Sequence, residues 1–260
     1  MKHKRLLAVL LLSTLPCAAQ SKILYDNFNH KFLDPSRWSP YSACYAGAGL
    51  ELECVRTIED GRLHLAHRTF GQRDSDTGLQ VGTASVGFVN PVSIKSITAD
   101  VAVRSVDEVP CAVNPAFGGN ATIWGVFFNA GSGDSSDDVG AQVVVGRVAS
   151  DPPGQLTVNT QIFRNGDYSI DYQTLGTIPL GTPVTATLRW DPPNHQFLVS
   201  WTNKITHATT ATTLPYSFSD TTPAASPNKV LEVVGAPTNC TANPTSVYVD
   251  ALFDNVYVKH

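Results

Sequence analysis

The sequence lacks several patterns that mark common functional classes. No run of about 20 apolar residues occurs beyond the first twenty positions, so no membrane span is predicted. Lysine and arginine are not clustered, which makes nucleic acid and anionic membranes poor candidates as partners. The cysteines show no paired C-x-x-C spacing, which disfavours a metal–thiolate site, and no G-x-S-x-G motif supports Ser-His-Asp catalysis.

Helical patterns are also scarce. The chain of 260 residues contains 17 prolines and 19 glycines, and no window keeps apolar residues at helical spacing for long. Short runs rich in Val, Ile, Thr and aromatic residues recur instead, separated by turn sequences such as DPPG and RNGD. These runs are Ile23–Phe28, Arg62–Arg68, Leu79–Val89, Ser93–Ser105, Ala121–Asn129, Val139–Ala149, Gln155–Phe163, Tyr168–Tyr172, Val184–Trp190, His195–Thr202, Val230–Val234 and Ser246–Val258. The pattern predicts an all-β sandwich of two antiparallel sheets.

One hairpin and one linker-like stretch bear on the domain organisation. Alternation in VTATLRW resumes in QFLVSW after a Pro-rich turn, which predicts a hairpin with Trp190 and Trp201 in the core. The stretch Thr209 to Asn228 is the most linker-like, but the roughly 30 residues after it are too few for a separate domain. We therefore expect one domain over residues 20–260.

The first nineteen residues have the features of a secretory signal peptide. Lys2, Lys4 and Arg5 precede the apolar run from Leu6 to Leu12, and Cys17, Ala18 and Ala19 are small. This order predicts cleavage after Ala19 and a secreted protein, extracellular or periplasmic. Cleavage before Cys17 as a lipoprotein is the competing interpretation, although Thr14 and Pro16 fit it poorly.

Cleavage leaves 15 basic and 22 acidic residues, a formal charge of −7, and four cysteines. Four cysteines in an exported chain predict two disulfides, for which three connectivities are possible. We favour Cys44–Cys54, which closes a short Gly-rich loop, and Cys111–Cys240, which joins two Pro/Asn-rich loops.

Three segments carry a resemblance to a known superfamily: LYDNFNHKFLDPSRW, IEDGRLHLAH and YVDALFDNVYV. Together they resemble the concanavalin A-like lectin/glucanase jelly rolls, which include legume-type lectins, laminin-G-like modules and family 16 glycoside hydrolases. The resemblance extends from Tyr25 to Val258 and implies a concanavalin A-like jelly-roll sandwich. Function inherited from a fold is an analogy only.

The resemblance provides a test for catalysis. Those hydrolases carry an E-x-D-x-E or E-x-D-x-x-E strand, and the matching strand here presents Asp138, Gly140 and Gln142 on one face. A retaining glycosidase needs two carboxyl groups about 5–5.5 Å apart, one ionised and one protonated. Gly140 and Gln142 supply neither, so the strand resembles that of a hydrolase without its acids.

Other catalytic arrangements are not supported either. The glutamates are Glu51, Glu53, Glu59, Glu108 and Glu232, and none is predicted to form a pair on a concave strand. Glu51 and Glu53 alternate but are expected in a loop beside Cys54. No histidine shows the Q-x-H arrangement of jelly-roll lyases, and His64 is expected on a strand surface without a visible partner.

A sugar site needs an aromatic platform with a few fixed polar groups. Arg104 falls where the related hydrolases place an arginine on the concave face, and Asp100 shares its side of the strand. The candidate ligand-binding surface is therefore Arg104, Asp100, Gln142, Trp124 and Asp138. The alternatives are that Trp124 belongs to the core and that Asp100 and Arg104 form only a surface pair, worth ~0–1 kcal/mol.

The one cofactor that the sequence suggests is a structural Ca²⁺. Asp134, Asp137 and Asp138 could ligate it from one loop, although their spacing does not match an EF-hand and a solvated turn is the alternative. The resemblance implies a different site on the convex side, formed by an Asp of the last strand with backbone carbonyls near the N-terminus and of an early Gly. Asp254 and Gly61 fall on those positions, with Asp26 nearby in sequence order, and Asp250 is a rival for the role of Asp254.

The sequence thus predicts a secreted module, expected to be a monomer, that binds a glycan or cell-surface polysaccharide or has an adhesive or structural role. It has no recognisable catalytic pair. The alternatives are a glycan-active hydrolase or lyase with an atypical site, and a protein-interaction module of laminin-G type.

Overall fold

The computed structural model describes residues 21–39, 44–46, 51–71, 81–111, 117–165, 167–238, 240 and 245–260. The predicted signal peptide, residues 1–19, lies outside the described residues. The strands are β1 Ile23–Asp26, β2 Trp38–Ser39, β3 Cys44–Ala46, β4 Glu51–Glu59, β5 Arg62–Phe70, β6 Gly82–Phe88, β7 Ser96–Val109, β8 Gly118–Asn129, β9 Asp138–Val148, β10 Gln155–Arg164, β11 Asp167–Pro179, β12 Val184–Asp191, β13 Gln196–Asn203, β14 Thr209–Pro215, β15 Thr222–Pro223, β16 Lys229–Ala236 and β17 Ser246–Lys259. Short 3-10 helices span Pro91–Ser93, Ser135–Asp137 and Pro192–Asn194.

The strands form two antiparallel sheets. We call the first the front sheet, with the order β11-β10-β9-β8-β16-β6-β2, to which β15 and β3 are added by pairing with β8 and β6. The second, the back sheet, has the order β14-β13-β12-β7-β17-β5-β4, with β1 paired to β17. The predicted all-β, two-sheet antiparallel jelly-roll sandwich is confirmed.

The core lies between the two sheets and is built by strand alternation. In β8 and β9, Ile123 and Val143 point inward, whereas Trp124 and Gln142 point to the other side of the front sheet. The predicted β12–β13 hairpin is confirmed, with Ala186 opposite Trp201, which is buried in the core. Trp190 packs against the core from its border and donates a hydrogen bond of 2.7 Å to Tyr216 Oη.

The sequence patterns missed two strands at the edges of the back sheet. Residues 51–59, expected to include a loop around Glu51 and Glu53, form β4, which pairs with β5 along its length. The linker-like stretch from Thr209 begins with β14, which pairs with β13. An edge strand buries little side-chain surface, so its sequence carries few of the apolar residues by which a strand is recognised.

Both predicted disulfides are confirmed. Cys44 of β3 is bonded to Cys54 of β4 and thus links the edges of the two sheets. The Cys111–Cys240 bond joins segments that are 129 residues apart in the chain. Within the described ranges, no helix has the length and apolarity needed to cross a membrane.

Candidate functional site

The outer face of the front sheet carries a cleft of about 870 Å³. Its floor is formed by side chains from four neighbouring strands: Trp124 of β8, Gln142 of β9, Gln161 and Phe163 of β10, and Glu232 of β16. Three further amide side chains line it, at Asn90, Asn165 and Asn228. The cleft therefore combines aromatic surface with several groups that both donate and accept hydrogen bonds.

Strand register places three of these side chains in one row. Trp124 lies opposite Gln142, and Gln142 lies opposite Gln161, so a row of outward-facing side chains crosses β8, β9 and β10. Directly opposite residues in antiparallel strands have Cβ atoms about 4.5–5.5 Å apart. In the described part of the chain, neither carboxamide forms a side-chain hydrogen bond with another residue. Both carboxamides are therefore available to a ligand.

The packing around Gly140, near the start of β9, leaves no room for a side chain at this position. A Cβ atom at this glycine would lie 2.3 Å from Cζ of Phe163 and 2.6 Å from the Gly125 carbonyl oxygen. The ring of Phe163 thus occupies the space next to Gly140, and its centre lies 5.9 Å from that of Trp124 in an edge-on arrangement. The aromatic pair of Phe163 and Trp124 therefore lies over β9 near Gly140.

Glu232 is the functional candidate that sequence reasoning missed. Its neighbours Leu231 and Val233 are in the core, so its own side chain points into the cleft, opposite Thr122 of β8 and Ser85 of β6. Burial of the carboxyl raises the pKa of Glu232 to about 8, an effect that the nearby Trp124 indole N–H only partly offsets. That Trp124 N–H is itself buried and makes no hydrogen bond of good geometry within the described residues. A single Glu in the apolar run KVLEVV was the available signal.

The Asp138 side chain holds neighbouring segments of the chain in place. It is fully buried and accepts hydrogen bonds from Asn129 Nδ2 at 3.0 Å, Ala225 N at 2.8 Å and Ser226 N at 2.7 Å. Ser226 lines the cleft, so Asp138 anchors a wall of the cleft from behind. Its predicted ligand contact does not fit this geometry, because the carboxylate is enclosed by protein. Among the described residues that line the cleft, Glu232 is the only acid.

The acidic loop before β9 is held by its own contacts. Asp134 caps the 3-10 helix Ser135–Asp137 by accepting a hydrogen bond of 3.0 Å from Ser136 N. Hydrogen bonding to Ser132 and to Arg164 lowers the pKa of Asp137. The ion pair with Arg164 neutralises a cation that lines the cleft. The loop is thus an ordered entrance to β9.

Asp100 and Arg104 lie on the other sheet, so the expectation of one continuous surface with Trp124 and Gln142 was wrong. Both project from β7 on the outer face of the back sheet, where Arg104 donates hydrogen bonds of 2.7 and 2.9 Å to Asp250. The His64 ring has Nδ1 2.8 Å from Glu59 Oε2 and Nε2 2.8 Å from Arg104 Nη2. Alternation had correctly put Asp100 and Arg104 on one side of β7, but it does not reveal to which sheet a strand belongs.

The three residues implied for Ca²⁺ differ in their availability. Asp26 is buried, and its two carboxylate oxygens accept hydrogen bonds from Phe28 N at 2.8 Å and Trp38 Nε1 at 2.6 Å. Its carboxylate therefore does not fit a metal ligand. Asp254 is partly exposed, and Asn255 is its only hydrogen-bond donor among the described residues. Gly61 lies in the β4–β5 turn next to Asn29. The described residues contain no group of three or more His, Cys, Asp or Glu side chains that could hold a metal.

No family model and no curated protein matches the sequence. Among solved structures, lectin II from Ulex europaeus is similar over 84% of this chain and 95% of its own, with 13% identity and a TM-score of 0.40. An endo-β-galactosidase from Clostridium perfringens that releases GlcNAcα1-4Gal is similar over 90% of this chain and 63% of its own, with 9% identity and a TM-score of 0.46. Scytalido-glutamic peptidase is similar over 54% of this chain and 59% of its own, with 14% identity and a TM-score of 0.38. At this similarity, no function is transferred from any of them.

Proposed function

We propose that the protein is a secreted carbohydrate-binding module of the concanavalin A-like kind, and that the cleft of the front sheet is its sugar site. The observation that carries this proposal is the combination on the cleft floor of the aromatic pair Trp124 and Phe163 with the carboxamides of Gln142 and Gln161. Sugar rings present apolar faces and a rim of hydroxyl groups. Aromatic rings contact such faces, and carboxamides both donate to and accept from the hydroxyl groups.

The size of the cleft and the covalent structure support this function. A volume of about 870 Å³ is towards the upper end of the range of roughly 300–1,000 Å³ that ligand sites occupy. Two disulfides fit an oxidising compartment, which agrees with export through the predicted signal peptide. We propose that the exported chain is a monomer of one domain.

The test is a glycan array followed by calorimetric titration of the best ligand. We expect binding of the wild-type protein to at least one glycan, and a loss of affinity of about tenfold in Gln142→Ala or Gln161→Ala, as for a truncated central hydrogen-bonding residue. Thr187→Ala, on the back sheet, is the matched control and should bind like the wild type. No binding to any glycan, or equal losses in all three variants, would refute the proposal.

A second candidate function is glycan hydrolysis, which the environment of Glu232 favours. A carboxyl group that stays protonated at neutral pH can donate a proton to a leaving oxygen. The second carboxyl of the usual two-acid mechanism is absent from the described lining of the cleft. Release of reducing ends from the bound glycan, abolished in Glu232→Gln, would establish hydrolysis. Binding without release would establish a binding module.

A further inference from the structure

Within the described residues, Glu232 has no ionic partner, unlike Asp100, Arg104 and Asp250 on the outer face of the back sheet. Its neighbours across the strands are Thr122 and Trp124 on β8 and Ser85 on β6, none of which ionises in the ordinary pH range. The neighbouring arginine side chains contact other groups. Arg56 of β4 donates to the backbone oxygen of Ser85 at 3.4 Å, and Arg164 pairs with Asp137.

Lys229, three residues earlier on the same strand, does not reach the cleft. Its side chain points to the opposite side of the front sheet, where Nζ donates to the Val126 carbonyl at 2.9 Å and lies 4.3 Å from the centre of the Phe127 ring. An ionised Glu232 would therefore be a buried anion without a described counter-ion, which is strongly unfavourable. The protonated form, which is neutral, is the stable form.

The indole N–H of Trp124 is a second polar group beside Glu232 on the floor of the cleft. This N–H is buried and has no well-formed hydrogen bond within the described residues. Buried polar groups are nearly always paired, and the neighbouring Glu232 carboxyl does not satisfy this N–H with good geometry, so an acceptor atom of a ligand would complete its hydrogen bonding. A protonated carboxyl and an indole N–H together present two donors to one region.

We infer that Glu232 contacts the ligand as an uncharged carboxylic acid, and that it and the Trp124 N–H donate hydrogen bonds to oxygen atoms of a neutral glycan. The inference rests on the proposed function and specifies the charge class of the ligand. A uronate or sulfate group would find no uncommitted cation among the described residues of the cleft, because Arg164 is neutralised by Asp137.

The protonation state is tested without any ligand. The sequence contains only five glutamates, so ¹³C labelling of glutamate carboxyl groups gives few NMR signals, and Glu232→Gln identifies the signal of Glu232 by its loss. We expect this carboxyl to titrate with a midpoint near pH 8, in line with burial that raises the pKa to about 8. A midpoint near the ordinary glutamate pKa of about 4.3 would overturn the inference.

The donor role is tested by the pH dependence of binding. The probe is the best binder among hexasaccharides of a β-glucan, a xylan, chitin and polygalacturonate. If only the neutral form binds, wild-type affinity should fall about tenfold from about pH 6 to about pH 9. Glu232→Gln keeps a neutral donor and should show a flat profile, whereas Glu232→Ala should bind weakly throughout. Glu59→Gln, on the back sheet, is the control and should keep the wild-type slope.

Trp124→Phe separates the two donors, because it keeps an aromatic ring and removes the N–H. We expect about three- to tenfold weaker binding, as for the loss of one hydrogen bond, with the pH slope unchanged. Parallel pH profiles for the wild type and Glu232→Gln, or a preference for polygalacturonate, would overturn the inference while leaving the sugar site intact. No binding of any probe at either pH would overturn the proposed function, and the NMR midpoint would still decide the charge of Glu232.

Discussion

The outer faces of the two sheets differ in whether their polar side chains are hydrogen-bonded to one another. On the back sheet, Arg104 is shared among Asp250, His64 and Glu59, and Asp100 accepts hydrogen bonds from Thr185, Lys204 and Asn255. On the front sheet, the Trp124 N–H and the carboxamides of Gln142 and Gln161 have no well-formed side-chain hydrogen bonds within the described residues. The back-sheet groups use their hydrogen-bonding capacity on one another, whereas the unpaired groups of the cleft can form hydrogen bonds with a ligand.

The charges follow the same division. Hydrogen bonding to Asp250 raises the pKa of Arg104, as expected for a bidentate pair that stabilises both ions. Burial also raises the pKa of Glu232, but for a carboxyl group a higher pKa favours the neutral form. The back face is thus a set of ion pairs in partial contact with solvent, and the front face is a cleft in which charge is avoided. Each of the following experiments alters one side of this contrast.

The largest effect is expected at Gly140. In Gly140→Ala the new methyl group would overlap the Phe163 ring and the Gly125 carbonyl, so the ring must leave its place and the free energy of unfolding should fall by about 3 kcal/mol. Gly87→Ala on the same sheet is the control, because its Cβ would have its nearest neighbour at 3.6 Å, an ordinary contact. Urea denaturation measures both. Equal stabilities of the two variants would show that the Phe163 ring is not packed on Gly140.

Lys229 is buried behind the front face without an anionic partner among the described residues, and burial lowers its pKa to about 7. Since its pKa in the unfolded chain is about 10.4, its charge costs stability most fully below about pH 7, and the cost declines as the pH rises towards 10.4. We expect Lys229→Met to stabilise the protein by about 2 kcal/mol near pH 6 and by much less near pH 10.

Urea denaturation at the two pH values measures this difference. Lys204→Met is the matched control, because Lys204 is paired with Asp100 on the back face. Its removal should cost about 0–1 kcal/mol at neutral pH, as for other surface ion pairs. If Lys229→Met were destabilising near pH 6, the contact with Val126 and Phe127 would have to compensate fully for burial of the charge.

Trp124 and Arg104 test which face binds the sugar. Trp124→Ala removes the aromatic platform and should weaken glycan binding about 30-fold, which corresponds to about 2 kcal/mol for a central aromatic residue. Arg104→Ala should leave the affinity within about twofold, because Arg104 projects from the back sheet. Calorimetry on the same glycan measures both variants. A large loss of glycan affinity in Arg104→Ala would show that the sugar binds to the back face.

The sequence predicted most of the fold because strand alternation is a local signal. Every predicted run overlaps an observed strand, and alternation correctly put Trp124 and Gln142 on the face away from the core. The edge strands β4 and β14 were missed because they bury few apolar side chains. The sequence therefore indicated where most strands lie and which side chains face outward.

The site was only half predictable, because it depends on contacts between distant parts of the chain. Glu232 and Trp124 are more than a hundred residues apart and meet only through the pairing of β16 with β8. Asp100 and Arg104 have the same alternation as the cleft residues, yet β7 pairs with β12 and β17 in the other sheet. Local patterns reveal which side of a strand faces outward, but strand order, which is not local, decides what that side meets.

The smallest effect is expected from calcium, which remains a prediction for Asp254 and Gly61 on the back-sheet side. If Ca²⁺ at about ten times its dissociation constant is bound only by the folded state, it stabilises the protein by about 1.4 kcal/mol, so a chelator should lower the melting temperature by a few degrees. Added Ca²⁺ should restore the original value in the wild type but not in Asp254→Ala. Asp250→Asn tests the rival residue and should respond to the chelator like the wild type. Identical melting curves of the wild type with and without chelator would refute the predicted calcium site. The polar side chains of the back face would then be stabilised by their ion pairs and hydrogen bonds alone.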